Sequence, residues 1–453
     1  MKRYMDVNRY MDMKRFIVQI VILAILIECP PLSATQVDAG DDYANAQCTE
    51  CHEEMADDHA LSVHASIECL SCHTQAVEED HEEIAAVDCR QCHAPHDEKV
   101  IHDAHTRVTC NACHMKGGIP TTGPESESVI WSGAFRPGSA LLPHQAVRLE
   151  TDARCGNCHF RGNTLGASSM ILPAKSILCM PCHVATFSVG DKTTLVSLFI
   201  FIVGMVGLGA VWFSGSIDKG AHRPGEKSNV KTRSAPGALF PDKFFRLLNA
   251  LIADVLFLQR LLRLSPARWI IHALIFFPFL FRFAFGLTAL VLSIFLPDWP
   301  VTVAMLDKNH AMRAFLFDLT GLMILAGTAA AIIRSRNEQI VNIASLPEPS
   351  RGMPALLGLI VLVGFVLEGL RIAMSGWPDG AGWAFLGYGV SLLLKGMSGL
   401  TDTYGYMWYT HAILVGAFMA LIPFTRMSHI ITAPIALIIN ARSETKGCAK
   451  NEI

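Results

Sequence analysis

The sequence predicts an all-α chain in two parts: a loop-rich first part organised by six cysteine–histidine strings, then a five-helix transmembrane bundle. Three observations predict it. Twelve of the fourteen cysteines fall in six strings of identical spacing between residues 48 and 183. Five segments after residue 193 each approach the ~20 apolar residues a bilayer-crossing helix needs. The formal net charge of −3 hides a split, because residues 35–190 hold 9 Lys/Arg against 22 Asp/Glu, which leaves +10 for the rest. An acidic first half and a basic, apolar second half argue against nucleic acid as a partner and for two different environments.

The order of segments begins with a leader. Lys14 and Arg15 precede a 12-residue apolar run, Phe16 to Ile27, which leads into Pro30-Pro31 and the small residues around Ala34. That is the order of a secretory signal peptide, and the run is short for a span. We expect a signal peptide over 1–34, with cleavage near Ala34 or Ala39, an exported domain over 35–190, a membrane domain over 191–440 and a tail over 441–453. Translation starting at Met13 fits the same reading. Cys29 and Cys448 stand apart from the six strings and receive no role.

The strings are Cys48-Thr-Glu-Cys51-His52, Cys69-Leu-Ser-Cys72-His73, Cys89-Arg-Gln-Cys92-His93, Cys110-Asn-Ala-Cys113-His114, Cys155-Gly-Asn-Cys158-His159 and Cys179-Met-Pro-Cys182-His183. C-x-x-C-H is the attachment signature of c-type haem. The two cysteines fix the porphyrin through thioethers, and the adjacent histidine is then held under the iron as its proximal ligand. Disulfides or zinc knuckles would not call for a histidine after every second cysteine. Six covalent haems c follow, and with them a hexahaem cytochrome c domain. The first four strings begin 21, 20 and 21 residues apart; a gap of 45 follows, and the last two are 24 apart. A four-haem group therefore adjoins a two-haem group, with short helices and loops wrapped around the cofactors.

Each iron needs a sixth ligand. Seven further histidines lie in this part: His59, His64, His81, His96, His102, His105 and His144. Their number suggests bis-histidine ligation throughout, which leaves no open iron site and favours electron transfer over substrate chemistry. Some of the seven are expected to be solvated surface residues instead, His59 and His81 above all, since both sit among acidic side chains. The acidic excess favours a basic periplasmic redox partner.

The predicted spans are about 194–213, 269–296, 312–333, 354–374 and 406–425. The connections 214–268 and 334–353 carry ten and three Lys/Arg, and the tail after Pro423 carries four; the connections 297–311 and 375–405 carry one each. By the positive-inside rule the first domain faces the periplasm of a cytoplasmic (inner) membrane and the C-terminus faces the cytoplasm, in agreement with the leader. Residues 242–263 read as one amphipathic helix on the inner surface, and 383–397 as a second on the outer side.

Ionisable residues inside spans call for a functional reading. His272 lies near the inner end of the second span. His411 and His429 are eighteen residues apart, five turns of one helix, which would put them on one face about 27 Å apart. This pattern suggests haem b ligands.

The string HAILVGAFMALIPFTRMSHIITAP (411–434) resembles the last span of the gamma (cytochrome b) subunit of respiratory nitrate reductase. It is similar as well to the cytochrome b subunits of heterodisulfide-reductase-like, quinone-interacting complexes. The string RWIIHALIFFPFLFRFAFGL (268–287) resembles the paired second span. The resemblance implies a cytochrome b-like bundle with histidine-ligated haems b and quinol oxidation on the outer side. It matches His272 and His429 to the inner haem and His411 to one ligand of an outer haem. The partner expected ten residues after His272 is Arg282 here, so one haem b is expected; a second would need another ligand opposite His411, such as His310. Resemblance and charge together nominate Arg282, Asp318, Glu368, Arg371 and His411, with Lys308 and His310 at the mouth, as a quinone site. The competing reading is ion pairing between helices, with Glu368 and Arg371 three residues apart.

The expected function is oxidation of menaquinol or ubiquinol with delivery of electrons through haem b and haems c to a periplasmic acceptor, the work of an oxidoreductase of quinol dehydrogenase type. An alternative is a haem-bearing membrane anchor that exchanges electrons with a cytoplasmic iron–sulfur subunit docked on the basic connection 214–268. A third reading, a multihaem reductase of small oxyanions, is disfavoured by the excess of histidine over iron.

Overall fold

In a computed structural model of the protein, the described residues are 48–73, 87, 89–93, 105, 108–116, 119–122, 129–132, 145–146, 152–189, 191–213, 251–297, 299–337 and 351–435. The leader, His81, His96, His102, His144, residues 242–250 and the tail lie outside them. The chain divides into two units: one holds 1–56 and 67–87, the other 57–66 and 88–453.

The first unit carries the first two C-x-x-C-H strings. Cys69–Cys72 forms a single helical turn, α2, and Glu53–Ala60 forms α1, which continues the chain out of this unit. Within the unit Cys69 lies beside Cys48; burial first, then that neighbour, raises its thiol pKa.

In the second unit the chain is mostly helical, with one departure from the all-α expectation. After the helical turn α3, Cys110–His114, the strands β1 (Ile119–Thr122) and β2 (Val129–Ser132) pair antiparallel, Ile119 opposite Ser132 and Thr122 opposite Val129. Val129, Ile130 and Trp131 are β-branched or aromatic, the residue types a pleated surface favours. Hydrogen bonds from Val63 N to Ala146 O (3.0 Å) and from Lys116 N to Gln145 O (3.0 Å) tie the 61–64 loop and the fourth string to one segment.

The membrane part contains α4 (Lys192–Phe213), α5 (Gln259–Leu264), α6 (Pro266–Phe295), α7 (Pro300–Leu306), α8 (Ala311–Asn337), α9 (Gly352–Met374), α10 (Phe385–Leu393) and α11 (Leu400–Leu421). Four of these, α4, α6, α8 and α9, are long and apolar enough to cross a membrane on their own. The fifth predicted span is a bent pair: α11 and the segment Arg426–Ile435 meet at 76°. One straight helix carrying both His411 and His429 is therefore not what forms. Pro423, just past the end of α11, has no N–H to continue the helical ladder. Thr425, in extended backbone, then caps the new turn by accepting from Met427 N at 3.4 Å. The two histidines do not share a helix face.

Helix starts follow local chemistry. Ser265 caps α6 and Pro266 follows at its first position; Pro300 opens α7 in the same way. The amphipathic stretch predicted over 242–263 is broken where it is described: Leu251–Leu256 is a π-helical turn, and Leu258 adopts left-handed backbone (φ 55°) before α5 begins. The second such stretch also differs from its expectation. Instead of lying on a surface, α10 packs on α9 and α8, with Gly387 and Ser391 buried.

Neighbours in the bundle run α6 to α8, α8 to α9, α9 to α11 and α11 to α4. Their shared core is Ile324, Met353, Leu357, Ile360, Phe418 and Ile422. Small residues set the closest approaches. A β-carbon on Gly416 of α11 would lie 2.5 Å from Ser197 Oγ of α4, the kind of contact by which helices pack in lipid.

Candidate functional site

The C-x-x-C-H strings share one local geometry. In five of them the histidine N–H donates to the carbonyl of the first cysteine, four residues back, at 2.8–3.0 Å: His52 to Cys48, His73 to Cys69, His93 to Cys89, His159 to Cys155 and His183 to Cys179. The sixth, Cys110–His114, is itself a helical turn. One turn brings both thiols and the imidazole to the same neighbourhood, as covalent haem attachment needs. No disulfide joins any of the twelve cysteines. The fourth and fifth strings adjoin, since Cys113 is a neighbour of Cys158, whose thiol pKa is raised chiefly by burial.

Four pairs of imidazoles face one another in the second unit. Ring centroids are 5.6 Å apart for His64 and His93, 6.4 Å for His105 and His159, 6.2 Å for His183 and His411, and 6.1 Å for His272 and His429. Bonds from a metal to imidazole nitrogen run about 2.0–2.1 Å, and the centre of a five-membered ring lies about 1.1 Å behind the bonding nitrogen. Two imidazoles sharing one metal on opposite sides are thus expected about 6.2–6.4 Å apart. Three pairs meet that spacing within 0.1 Å, and the fourth is shorter by about 0.6 Å.

Supporting hydrogen bonds orient several of these rings. His159 Nδ1 lies 2.7 Å from Ser168 O, and His429 Nδ1 lies 2.7 Å from Arg426 O. A proton held on Nδ1 leaves Nε2 as the coordinating nitrogen, the usual arrangement for metal-ligating histidine. His64 has its pKa lowered by burial first and by the neighbouring His93 second, which keeps it in the neutral form that binds metal. His59 sits in the last turn of α1 and faces none of the four pairs.

Residues 152–189 are built onto one end of the bundle. Ser169 N donates to Thr401 O at 3.1 Å. Val184 and Ala185, fully buried, pack with Ala289, Leu290, Met305 and Leu306. On α6, a β-carbon at Gly286 would lie 2.8 Å from the His183 carbonyl oxygen. Gly286→Val is accordingly expected to push the sixth string off α6 and to lower stability by about 1–3 kcal/mol. Thermal unfolding of the detergent-solubilised protein, read as a drop in Tm, checks this. Cys182 is so closely surrounded there that burial pushes its thiol up to about 11. Before any thioether forms it stays protonated and unreactive.

The charged residues nominated for a quinone site fall into two sets. Arg282, Asp318 and Glu368 are electrostatic neighbours, close to Cys182. Each is also engaged in packing. Arg282 Nε donates to Thr320 Oγ1 at 2.8 Å, its Nη2 donates to the Phe317 carbonyl, and its guanidinium lies 5.0 Å from the Phe317 ring centre. Asp318 Oδ2 accepts from the backbone of Leu386 (2.6 Å) and Gly387 (3.2 Å) at the start of α10. Glu368 pairs with Arg371 at 3.6 Å, and Arg371 Nη1 donates to Asn309 Oδ1 at 2.8 Å. His310 is exposed, and Lys308 is half-buried in the same connection. The ring facing His411 is that of His183, not His310. Sequence reasoning missed this partner because it sorted the histidines by domain.

No protein-family model matches this chain, and no solved structure does. The chain is similar to a membrane-complex component, from two archaea, that carries the name of dihydromethanophenazine:CoB–CoM heterodisulfide reductase. It is 29% identical to the Methanosarcina thermophila protein over 207 residues, 44% of this chain and 68% of that one. To the Methanosarcina mazei protein it is 25% identical over 263 residues, 55% of this chain and 91% of that one.

Proposed function

We propose that this chain is the membrane electron-transfer subunit of a larger redox complex, with haem b held between His272 and His429 and haem c attached at the six C-x-x-C-H strings. The observation that carries this reading is the His272–His429 pair. Two residues 157 positions apart in sequence come from two separate helical segments and bring their rings to 6.1 Å.

The relatives favour one component of a complex over a self-contained enzyme: their shared name is that of one subunit of a reductase that couples dihydromethanophenazine to a disulfide. By that likeness this chain exchanges electrons with a quinone-like carrier, menaquinone or ubiquinone among the candidates, and with a cytoplasmic iron–sulfur subunit. The dock is the basic connection 214–268, on the side of the bundle that holds His272 and His429. Bound haem supplies one-electron chemistry. The protein's own residues do the rest: α6 fixes His272, the turn at Arg426 orients His429, and the apolar bundle keeps water away. Arg282, Asp318 and Glu368 remain the proposed contact for the carrier's headgroup.

A second reading, delivery of electrons through the haem c domain to a periplasmic acceptor, draws on one specific observation. The sixth string is packed on the membrane helices, so a haem fixed there would stand between bundle and exported domain.

Purification in mild detergent from native membranes tests the proposal. The expected results are six haems c and one haem b by pyridine haemochrome, a co-purifying iron–sulfur protein, and reduction of the haem b by a quinol. A preparation without protohaem would overturn it. An intact protein that reduces its haems c with no iron–sulfur partner would favour the second reading.

A further inference from the structure

We propose that His411, a residue of membrane helix α11, is the distal axial ligand of the haem c attached at Cys179 and Cys182, opposite His183. This rests on the reading that the sixth string carries haem c. It makes that haem part of the membrane domain, at the position where the resembled cytochromes would hold an outer haem b.

The two ring centroids are 6.2 Å apart with planes 69° apart. Ligands on opposite sides of one iron are free to rotate about the bonding axis, so the plane angle is no obstacle, and the separation is that of a shared metal. His411 Nδ1 is buried and meets no hydrogen-bond partner among the described residues. An imidazole left so in an apolar bundle is costly, and ligation of an iron accounts for its place there.

Competing ligands for His411 are occupied or distant. Arg282 stands where a second helix-borne histidine would be needed. Its guanidinium is held by Thr320 and by the Phe317 carbonyl, and it can never coordinate iron as a cation. His272 is taken up by His429. The opposing ligand is instead brought in from outside α6, by the close seat of His183 on Gly286. On the other side of His411, α9 presents Gly364, where a β-carbon would be 3.6 Å from the ring. The ring thus has a fixed seat between α9 and the sixth string.

The sixth haem and the haem b would then be neighbours along α6. Gly286, against His183, follows His272 by fourteen residues on that helix, about 21 Å of rise. A direct link between membrane and exported cofactors follows, with no second haem b between them.

The test uses the full-length protein carrying His411→Leu, His411→Met or His411→Gly. For His411→Leu, pyridine haemochrome should still count six haems c and one haem b, while EPR should show one haem c equivalent moving from low-spin to high-spin. The His411→Met variant should keep that haem low-spin and raise its reduction potential, since methionine in place of histidine raises it. Added imidazole should return the His411→Gly protein to the low-spin form, a rescue that a purely structural histidine would not give. Loss of the protohaem with all haems c unchanged would make His411 a haem b ligand and overturn the proposal. Unchanged spectra in all three variants would do the same. Failure of the underlying reading looks different: the wild-type polypeptide would then show no covalent haem mass at the sixth string.

Discussion

Purified His429→Ala protein is expected to contain almost no protohaem while retaining all six covalent haems. His429 lies on the segment after the break at Pro423, and its ring is aimed by the Nδ1 contact to Arg426 O at 2.7 Å. His272 approaches from α6 to a centroid distance of 6.1 Å. A haem b has no thioether to keep it in place, so its residence depends on these two axial bonds. Loss of even an outer hydrogen bond to a metal ligand costs about 10–100-fold in affinity, and loss of the ligand itself should exceed that. His272→Ala should behave in the same way. The pyridine haemochrome b:c ratio is the readout; a ratio equal to wild type in either variant would remove the central pair from the account. The covalent haems serve as the internal control, because their attachment depends on cysteines elsewhere.

Asp318→Leu is expected to destabilise the bundle strongly and Asp318→Asn only mildly. Asp318 is fully buried on α8, and its Oδ2 receives the first N–H groups of α10 from Leu386 and Gly387. Helix starts leave such donors without intrahelical partners. An apolar side chain would strand both in a water-free setting, at about 1–3 kcal/mol for each unsatisfied group. Asparagine keeps an acceptor oxygen in place. The close fit of Gly387 on Glu368, where a β-carbon would lie 2.4 Å from Glu368 Cγ, leaves α10 little room to shift and recover. Thermal unfolding in detergent should rank wild type above Asp318→Asn and far above Asp318→Leu. Equal Tm values for the two variants would mean that the acceptor does not anchor α10. If Asp318→Asn also slows haem reduction by quinol without altering Tm, the carboxylate has a part in quinone chemistry beyond the clamp.

Much of this was legible in the sequence because it is local. A C-x-x-C-H string folds into one helical turn whatever surrounds it, and the histidine-to-cysteine hydrogen bond recurs in unrelated contexts along the chain. Four of the five spans follow directly from runs of apolar residues, since the length a bilayer needs is fixed by its thickness. The family resemblance of 268–287 and 411–434 pointed to His272 and His429, and these two do meet.

Other features were decided by tertiary structure alone. Pro423 was visible in the sequence as a helix breaker, yet the 76° turn it permits depends on what packs beyond it. That turn separates His429 from the axis of His411 and still delivers it to His272. Hydrophobic periodicity likewise assigned 383–397 to a surface; Asp318 instead draws the start of α10 into the bundle. The pairing of His183 with His411 joins residues 228 positions apart. No spacing rule reports such a contact, because the encounter depends on how closely Gly286 lets the sixth string approach α6. The sequence by itself determined which groups bind cofactor and which segments cross the membrane, for those depend on the chain's nearest neighbours. Only the packed structure decided which histidines face each other, since that depends on backbones meeting where side chains are smallest.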